Sequence, residues 1–166
     1  ADAARAAALA APVPVTGAAP PAGGLPAPPV VAPVGGKVCP VSGTTGFIDS
    51  WGFARSGGRT HEGVDIFAAY ATPVLAVADG VVDSVYNNSL GGLVINFIDD
   101  NGDKYYYAHL SSASASSGQR VTAGTVIGAV GTSGNAAGTP PHLHWQYHPG
   151  NGEPINPFPL ARALCR

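Results

Sequence analysis

From Lys37 onward the chain is a succession of short runs rich in Val, Ile, Tyr and Phe, separated by clusters of Gly, Asn, Asp and Ser. The runs lie at residues 64–68, 73–78, 80–86, 93–98, 104–110, 125–130 and 142–147. Segments this short, at this spacing and without sustained helical periodicity, predict a mostly β, antiparallel domain. Asp99-Asp100-Asn101-Gly102-Asp103 predicts a hairpin between two of them, because Asn-Gly supplies positive φ angles. Residues 93–98 are apolar on both faces apart from Asn96, as a central strand should be. In 104–110 a period of two puts Tyr105, Tyr107 and His109 on one face, with Tyr106, Ala108 and Leu110 on the other. If His109 lines a substrate groove, Tyr105 and Tyr107 should line it too.

Residues 1–36 are of another kind. They hold 8 of the chain's 16 prolines and 13 alanines, with only Asp2 and Arg5 charged. Such a segment cannot bury a core, and its prolines favour extended conformations. Alanine favours a short helix over 3–11, but nothing identifies a packing partner for it. The chain therefore divides into a Pro/Ala-rich, disordered leader or spacer (1–36) and a folded domain (37–166). The composition suits a spacer holding the domain off a surface and a tail without a role equally well.

Charge narrows the function. Only 11% of residues are Asp, Glu, Lys or Arg, the net charge is -2, and no basic run tracks a phosphate backbone. Nucleic-acid binding through a basic surface is disfavoured on that ground. No stretch of 18 apolar residues is free of charges and breakers, so no transmembrane segment is expected. The two cysteines, Cys39 and Cys165, form no Cys-X-X-Cys pair, which argues against a thiolate zinc site. Two unrelated buried thiols are one reading; a disulfide is the favoured one. It would close a loop of about 126 residues, contribute roughly 5 kcal/mol by chain entropy, and place the protein in an oxidising compartment.

Four of the five histidines fall in three short patterns: His61-Glu62-Gly63-Val64-Asp65, Tyr107-Ala108-His109-Leu110-Ser111 and His142-Leu143-His144. Imidazole and carboxylate are the usual ligands of a zinc ion that keeps a position open for water. His142 and His144, two apart on a strand, face one side, while Leu143 and Trp145 face the other. His61 and Asp65 would stand roughly 13 Å apart on a straight strand, whereas two donors on one tetrahedral zinc lie about 3.3 Å apart. The chain must bend between them, and Gly63 is where it can. A His-Glu-X-X-His helix is the competing reading, but the fifth position is Asp65 and Gly63 weakens a helix. His61, Asp65 and one histidine of the pair leave the fourth position for a water whose pKa zinc brings to about 7. The two histidines left over would take its proton and stabilise charge on the carbonyl oxygen.

These motifs resemble those of the lysostaphin-type (M23) metallopeptidases, zinc endopeptidases that cut peptide cross-bridges in bacterial peptidoglycan. The family pattern is His-X-X-X-Asp, a histidine in a His-Leu-Ser stretch, then His-X-His. It is matched by His61 and Asp65, by His109-Leu110-Ser111, and by His142 and His144. Thr72-Pro73-Val74, Asp79-Gly80-Val81-Val82, Gly131-Thr132-Ser133-Gly134-Asn135 and Asn156-Pro157 extend the similarity over roughly 47–157. The resemblance implies an antiparallel β-sheet domain of the lysostaphin type (duplicated hybrid motif), with a narrow groove roofed by loops. It implies one Zn2+ per chain on His61, Asp65 and His144, with His109 and His142 catalytic beside the scissile bond. Peptidoglycan stem or cross-bridge peptides would be the partner of a monomer that is secreted or in the bacterial cell envelope. Ala71 and Pro140 depart from the family pattern at positions where glycine is common. Arg55 and Arg59 stand where subgroups that cut glycine-rich bridges often carry tyrosine, which argues against glycyl-glycine specificity. Arg55 could assist the oxyanion, contact a substrate carboxylate, or simply be solvated. A non-catalytic cell-wall-binding or hydrolase-activating module and a broader bacteriolytic protease are the alternatives; relatives of the first kind lack site residues that are all present here.

Overall fold

The computed structural model describes residues 34–165. The leader expected at 1–36 lies outside them except for its last three residues, as does the helix considered at 3–11. All seven apolar runs form strands: β1 (Val64–Phe67), β2 (Pro73–Leu75), β3 (Gly80–Asn88), β4 (Gly92–Asp99), β5 (Lys104–Ala113), β7 (Val126–Val130) and β8 (His142–His148). Among the described residues, the two-residue β6 (Arg120–Val121) and the α-helix α1 (Phe158–Leu164) had no sequence signal. Neither is long enough to display a period.

Every strand pairing is antiparallel, in the order β1-β8-β5-β4-β3-β6, with β7 pairing both β5 and β2. As expected, 93–98 becomes an interior strand, and its Asn96 is satisfied by donating from Nδ2 to Ser84 Oγ at 3.0 Å. The hairpin between β4 and β5 also forms, but of its turn residues only Gly102 has positive φ, at 84°. Asp99 organises that turn: its Oδ1 accepts the N–H groups of Asn101 and Asp103, each at 3.0 Å. Its other oxygen meets Lys37 Nζ and the Tyr105 hydroxyl, so the turn is anchored to the start of the domain.

β5 changes neighbours partway along. It pairs β8 over residues 104–108, then β7 from Leu110 to Ala113. The change falls on His109, which has a φ of 65° and donates its backbone N–H to Gly91 O at 2.7 Å. Left-handed backbone is costly for a residue with a Cβ and persists only where its surroundings impose it.

This kink corrects the face assignment. Alternation holds from Tyr105 to Ala108 and breaks at His109, so Tyr105 and Tyr107 do not share a face with it. Both tyrosines are fully buried. Tyr105 stacks on Trp145 at 5.5 Å between centroids, and the Tyr107 hydroxyl accepts the Val77 N–H at 3.1 Å. They join Phe97, Ile66, Ile95, Leu143 and Trp145 in the core. Tyr106 and Ala108 line the groove instead.

Cys39 and Cys165 are joined in a disulfide with a sequence separation of 126. The bridge fastens the end of α1, whose Ala161 and Leu164 are buried, onto the same core. The chain bends at Gly63 as expected, but the reason for glycine is different. Its φ is not in the left-handed region. A Cβ there would come within 2.7 Å of His144 Cε1 and of the Trp145 carbonyl oxygen, so what requires glycine is the close approach of β8.

Two substitutions test these constraints by urea unfolding. Gly63→Ala forces β8 outward and lowers stability by about 1 to 3 kcal/mol. Ala71 is exposed with a φ of 65°; Ala71→Gly relieves the left-handed strain and raises stability by about 1 kcal/mol.

Candidate metal centre

The register of three strands assembles the site. Asp65 on β1 lies opposite His144 on β8, Phe67 opposite His142, and Ala108 on β5 opposite His144. Directly paired residues of antiparallel strands project to one face. Asp65, His142, His144 and Gln146 therefore stand together on the side away from Trp145, and His61 folds over them from the segment before β1. His61 Nε2 lies 2.9 Å from His144 Nδ1 and 3.0 Å from Asp65 Oδ1, and His144 Nδ1 lies 3.0 Å from the same oxygen. Among the described residues this is the one convergent group of three or more His, Cys, Asp or Glu donors.

The protonation states suit coordination. Burial by itself would raise the Asp65 pKa, but the adjoining His144 and His61 rings outweigh it and hold the carboxyl well below the usual range. Burial lowers the pKa of His144 and keeps its ring neutral. His61 Nδ1 faces the backbone carbonyl of Ser50 at 3.0 Å, which accepts but cannot donate, so Nδ1 carries hydrogen and Nε2 a lone pair. Lone pairs this close repel one another unless a proton or cation lies among them. Two imidazoles and a carboxylate at this spacing fit zinc by donor type and geometry.

His109 and His142 flank this triangle. His142 donates from Nδ1 to Pro140 O at 2.8 Å, and its Nε2 lies 4.0 Å from Asp65 Oδ1. His109 donates from Nδ1 to Ser133 O at 2.9 Å, with its ring centroid 5.0 Å from that of His142. Both therefore turn a basic Nε2 inward. Burial, then the neighbouring His144, lowers the His109 pKa to about 4 against the opposing bond to Ser133. Ser133 is itself pinned, donating from Oγ to Leu110 O at 2.7 Å and accepting the Leu93 N–H at 3.0 Å. Glycine at 92 permits this, since a Cβ there would fall 2.3 Å from Ser133 Oγ.

All five residues singled out by the motifs thus meet in one groove of about 660 Å³, also bounded by Phe67, Leu90, Tyr106 and Thr139. Arg55 is not a freely solvated arginine: its Nη2 donates to Asp65 Oδ2 at 2.6 Å, on the oxygen turned away from the histidines. Arg59 lies on the same rim and reaches only Ser56. Ser50 and Gln146 escaped the sequence reading. A lone serine eleven residues ahead of its histidine has no pattern to betray it, whereas Gln146 continues the i, i+2 face of His142 and His144 and was legible by the same period.

Comparison with known proteins agrees with this geometry. Residues 59–157 match peptidase family M23. The chain is 39% identical over 139 residues to the L-Ala--D-Glu endopeptidase of Bacillus subtilis (strain 168), covering 76% of this chain and 43% of that protein. It superposes on the catalytic domain of the antimicrobial peptidase lysostaphin from Staphylococcus simulans with a TM-score of 0.64 and 31% identity, covering 71% of this chain and 92% of that one. A zinc-containing peptidase from Vibrio cholerae matches with a TM-score of 0.56 and 29% identity, over 68% of this chain and 34% of that one. The chain spans less than half the length of the curated relatives it matches. With the M23 match covering most of the folded domain, and the five motif residues gathered in one groove on an antiparallel sheet, the chain belongs to peptidase family M23.

Proposed function

We propose that this chain is a zinc-dependent endopeptidase that hydrolyses peptide bonds in peptidoglycan stem or cross-bridge peptides outside the cytoplasm. The observation that carries the reading is the division of labour among four imidazoles. Two present donor atoms 2.9 Å apart beside one carboxylate oxygen, and two stand next to them uncommitted. Residues 37–166 form the catalytic unit, with 1–36 as its leader or spacer. The disulfide suits an oxidising compartment, and among the described residues no helix is long and apolar enough to cross a membrane.

His61, Asp65 and His144 hold the ion, which when bound polarises a carbonyl and acidifies a water. The Nε2 atoms of His109 and His142 do the proton work. One accepts the proton of the attacking water and passes it to the leaving amine; the other, when protonated on Nε2 as well as Nδ1, donates to the carbonyl oxygen as charge develops there. Their Nδ1 bonds to Ser133 and Pro140 prevent either ring from turning away. Arg55 secures the outer oxygen of Asp65 and, with Arg59, makes one rim of the groove cationic. That rim favours stem peptides, which carry free carboxylates, over an uncharged glycine bridge.

Purified peptidoglycan incubated with the protein should release new amine termini with zinc and none after chelation. Mass spectrometry of fragments from glycine-bridged and directly cross-linked walls would identify the bond, and no release from either with zinc bound rejects the reading. His109→Ala and His142→Ala should each retain one zinc per chain while turnover falls by about 10² to 10⁴. His144→Ala should lose the metal itself, as measured by metal analysis of the purified protein.

A further inference from the structure

The fifth histidine, His148, has no part in the centre as described, yet it is buried and both its ring nitrogens are engaged. Four of the five imidazoles place Nδ1 against a backbone carbonyl: His61 on Ser50, His109 on Ser133, His142 on Pro140, and His148 on Gly152 at 2.9 Å. His144 is the exception. Its Nδ1 faces His61 and Asp65, so its orientation must be set through Nε2, which lies 3.0 Å from the Gln146 amide nitrogen. Gln146 Oε1 lies 3.0 Å from His148 Nε2. A half-turn of that amide preserves both contacts and exchanges their polarity, so hydrogen bonding must decide which end faces which ring.

The Gly152 carbonyl decides it. It requires hydrogen on His148 Nδ1, and burial lowers the pKa of His148, which favours the neutral ring, whose lone pair is then on Nε2. The Gln146 NH2 must therefore donate to His148, which turns the amide oxygen toward His144. His144 then donates from Nε2, and its Nδ1 is left with a lone pair among the donor atoms of the centre. The opposite polarity would set a lone pair of His148 against the Gly152 oxygen and place an N–H on the coordinating nitrogen of His144.

We propose that Gly152, His148 and Gln146 form a hydrogen-bonded relay that fixes the tautomer of His144 and thereby prepares Nδ1 for the metal. Gln146 and His148 are positioning residues: Gln146 lines the groove, but both act on the centre through the ring of His144. The Gly152 carbonyl is held by its own scaffold: the Gly152 N–H donates to Pro149 O at 3.0 Å, and Gly150 N–H to Asp103 Oδ1 at 2.8 Å. The relay thus runs from the β4–β5 hairpin to the centre.

The inference rests on the metal reading above, and zinc affinity measured by competition with a chromophoric chelator tests both separately. Wild-type protein that binds no zinc would defeat the metal reading itself. If it binds, Gln146→Leu should weaken affinity about 10- to 100-fold, with an unchanged urea midpoint showing that the fold is kept. Gln146→Glu, which offers His144 an acceptor whichever way it turns, should bind as tightly as wild type. His148→Phe should weaken binding several-fold beside Gln146 and not at all beside Glu, because a carboxylate has no end to orient. Ring 15N shifts should show hydrogen on Nε2 of His144 and on Nδ1 of the other four. A Gln146→Leu protein binding zinc like wild type, an equal loss from His148→Phe in both backgrounds, or hydrogen on His144 Nδ1 would overturn the relay.

Discussion

A carbonyl oxygen offers only lone pairs, and an imidazole nitrogen lying against one must bring the hydrogen. Through that constraint His61, His109 and His142 each turn Nε2 inward with its basic electrons available. Each such bond contributes on the order of 1 kcal/mol net, yet it settles both the tautomer and the ring rotation. The carbonyls belong to Ser50, Ser133 and Pro140, none of which lies within a strand. Strand carbonyls are consumed by the ladder, so a centre built this way needs loops folded back over the sheet. The groove's loop walls therefore supply orientation as well as shape.

The second dependency is the exchange of partners along β5. By pairing first with β8 and then with β7, one strand spans the junction where those two part, and the groove opens there. His109 sits on the exchange with its backbone strained, its N–H bonded to Gly91 and its ring to Ser133. Strain of this kind persists only when packing on both sides insists on it. The tyrosines that precede it stack in the core behind the centre, so one backbone angle brings His109 to the groove side of β5 instead of the hydrophobic side.

All seven principal strands were legible as short runs of β-branched and aromatic residues bounded by Gly, Asn, Asp and Ser clusters. The five motif residues were legible because their spacing has few other uses. What escaped was whatever broke a period or had none. The positive φ at His109 reversed the expected facing of Tyr105 and Tyr107, and no local composition signals it. Gly63 was read only as the place where the chain can bend; what demands glycine there is the proximity of His144, a fact about a strand some eighty residues away. Arg55 could not be distinguished from a surface arginine until Asp65 was seen beside it. Ala71 was noticed as a departure, and its left-handed backbone explains why glycine is favoured there.

β1 closes one end of the sheet, with β8 on its inner side and only the Gly46–Phe67 bridge on its outer side. Two of the three convergent donors come from β1 or the residues leading into it, and the third from β8. An ion held there rivets the outermost strand to its neighbour and stabilises the native state by mass action. Without that rivet the strand keeps its ladder to β8 and its buried Val64 and Ile66, and an edge strand that peels away bares its backbone, the template on which one chain recruits another into aggregates. Metal supply would then govern the colloidal lifetime of the protein as well as its chemistry, with clumping preceding any general loss of the fold.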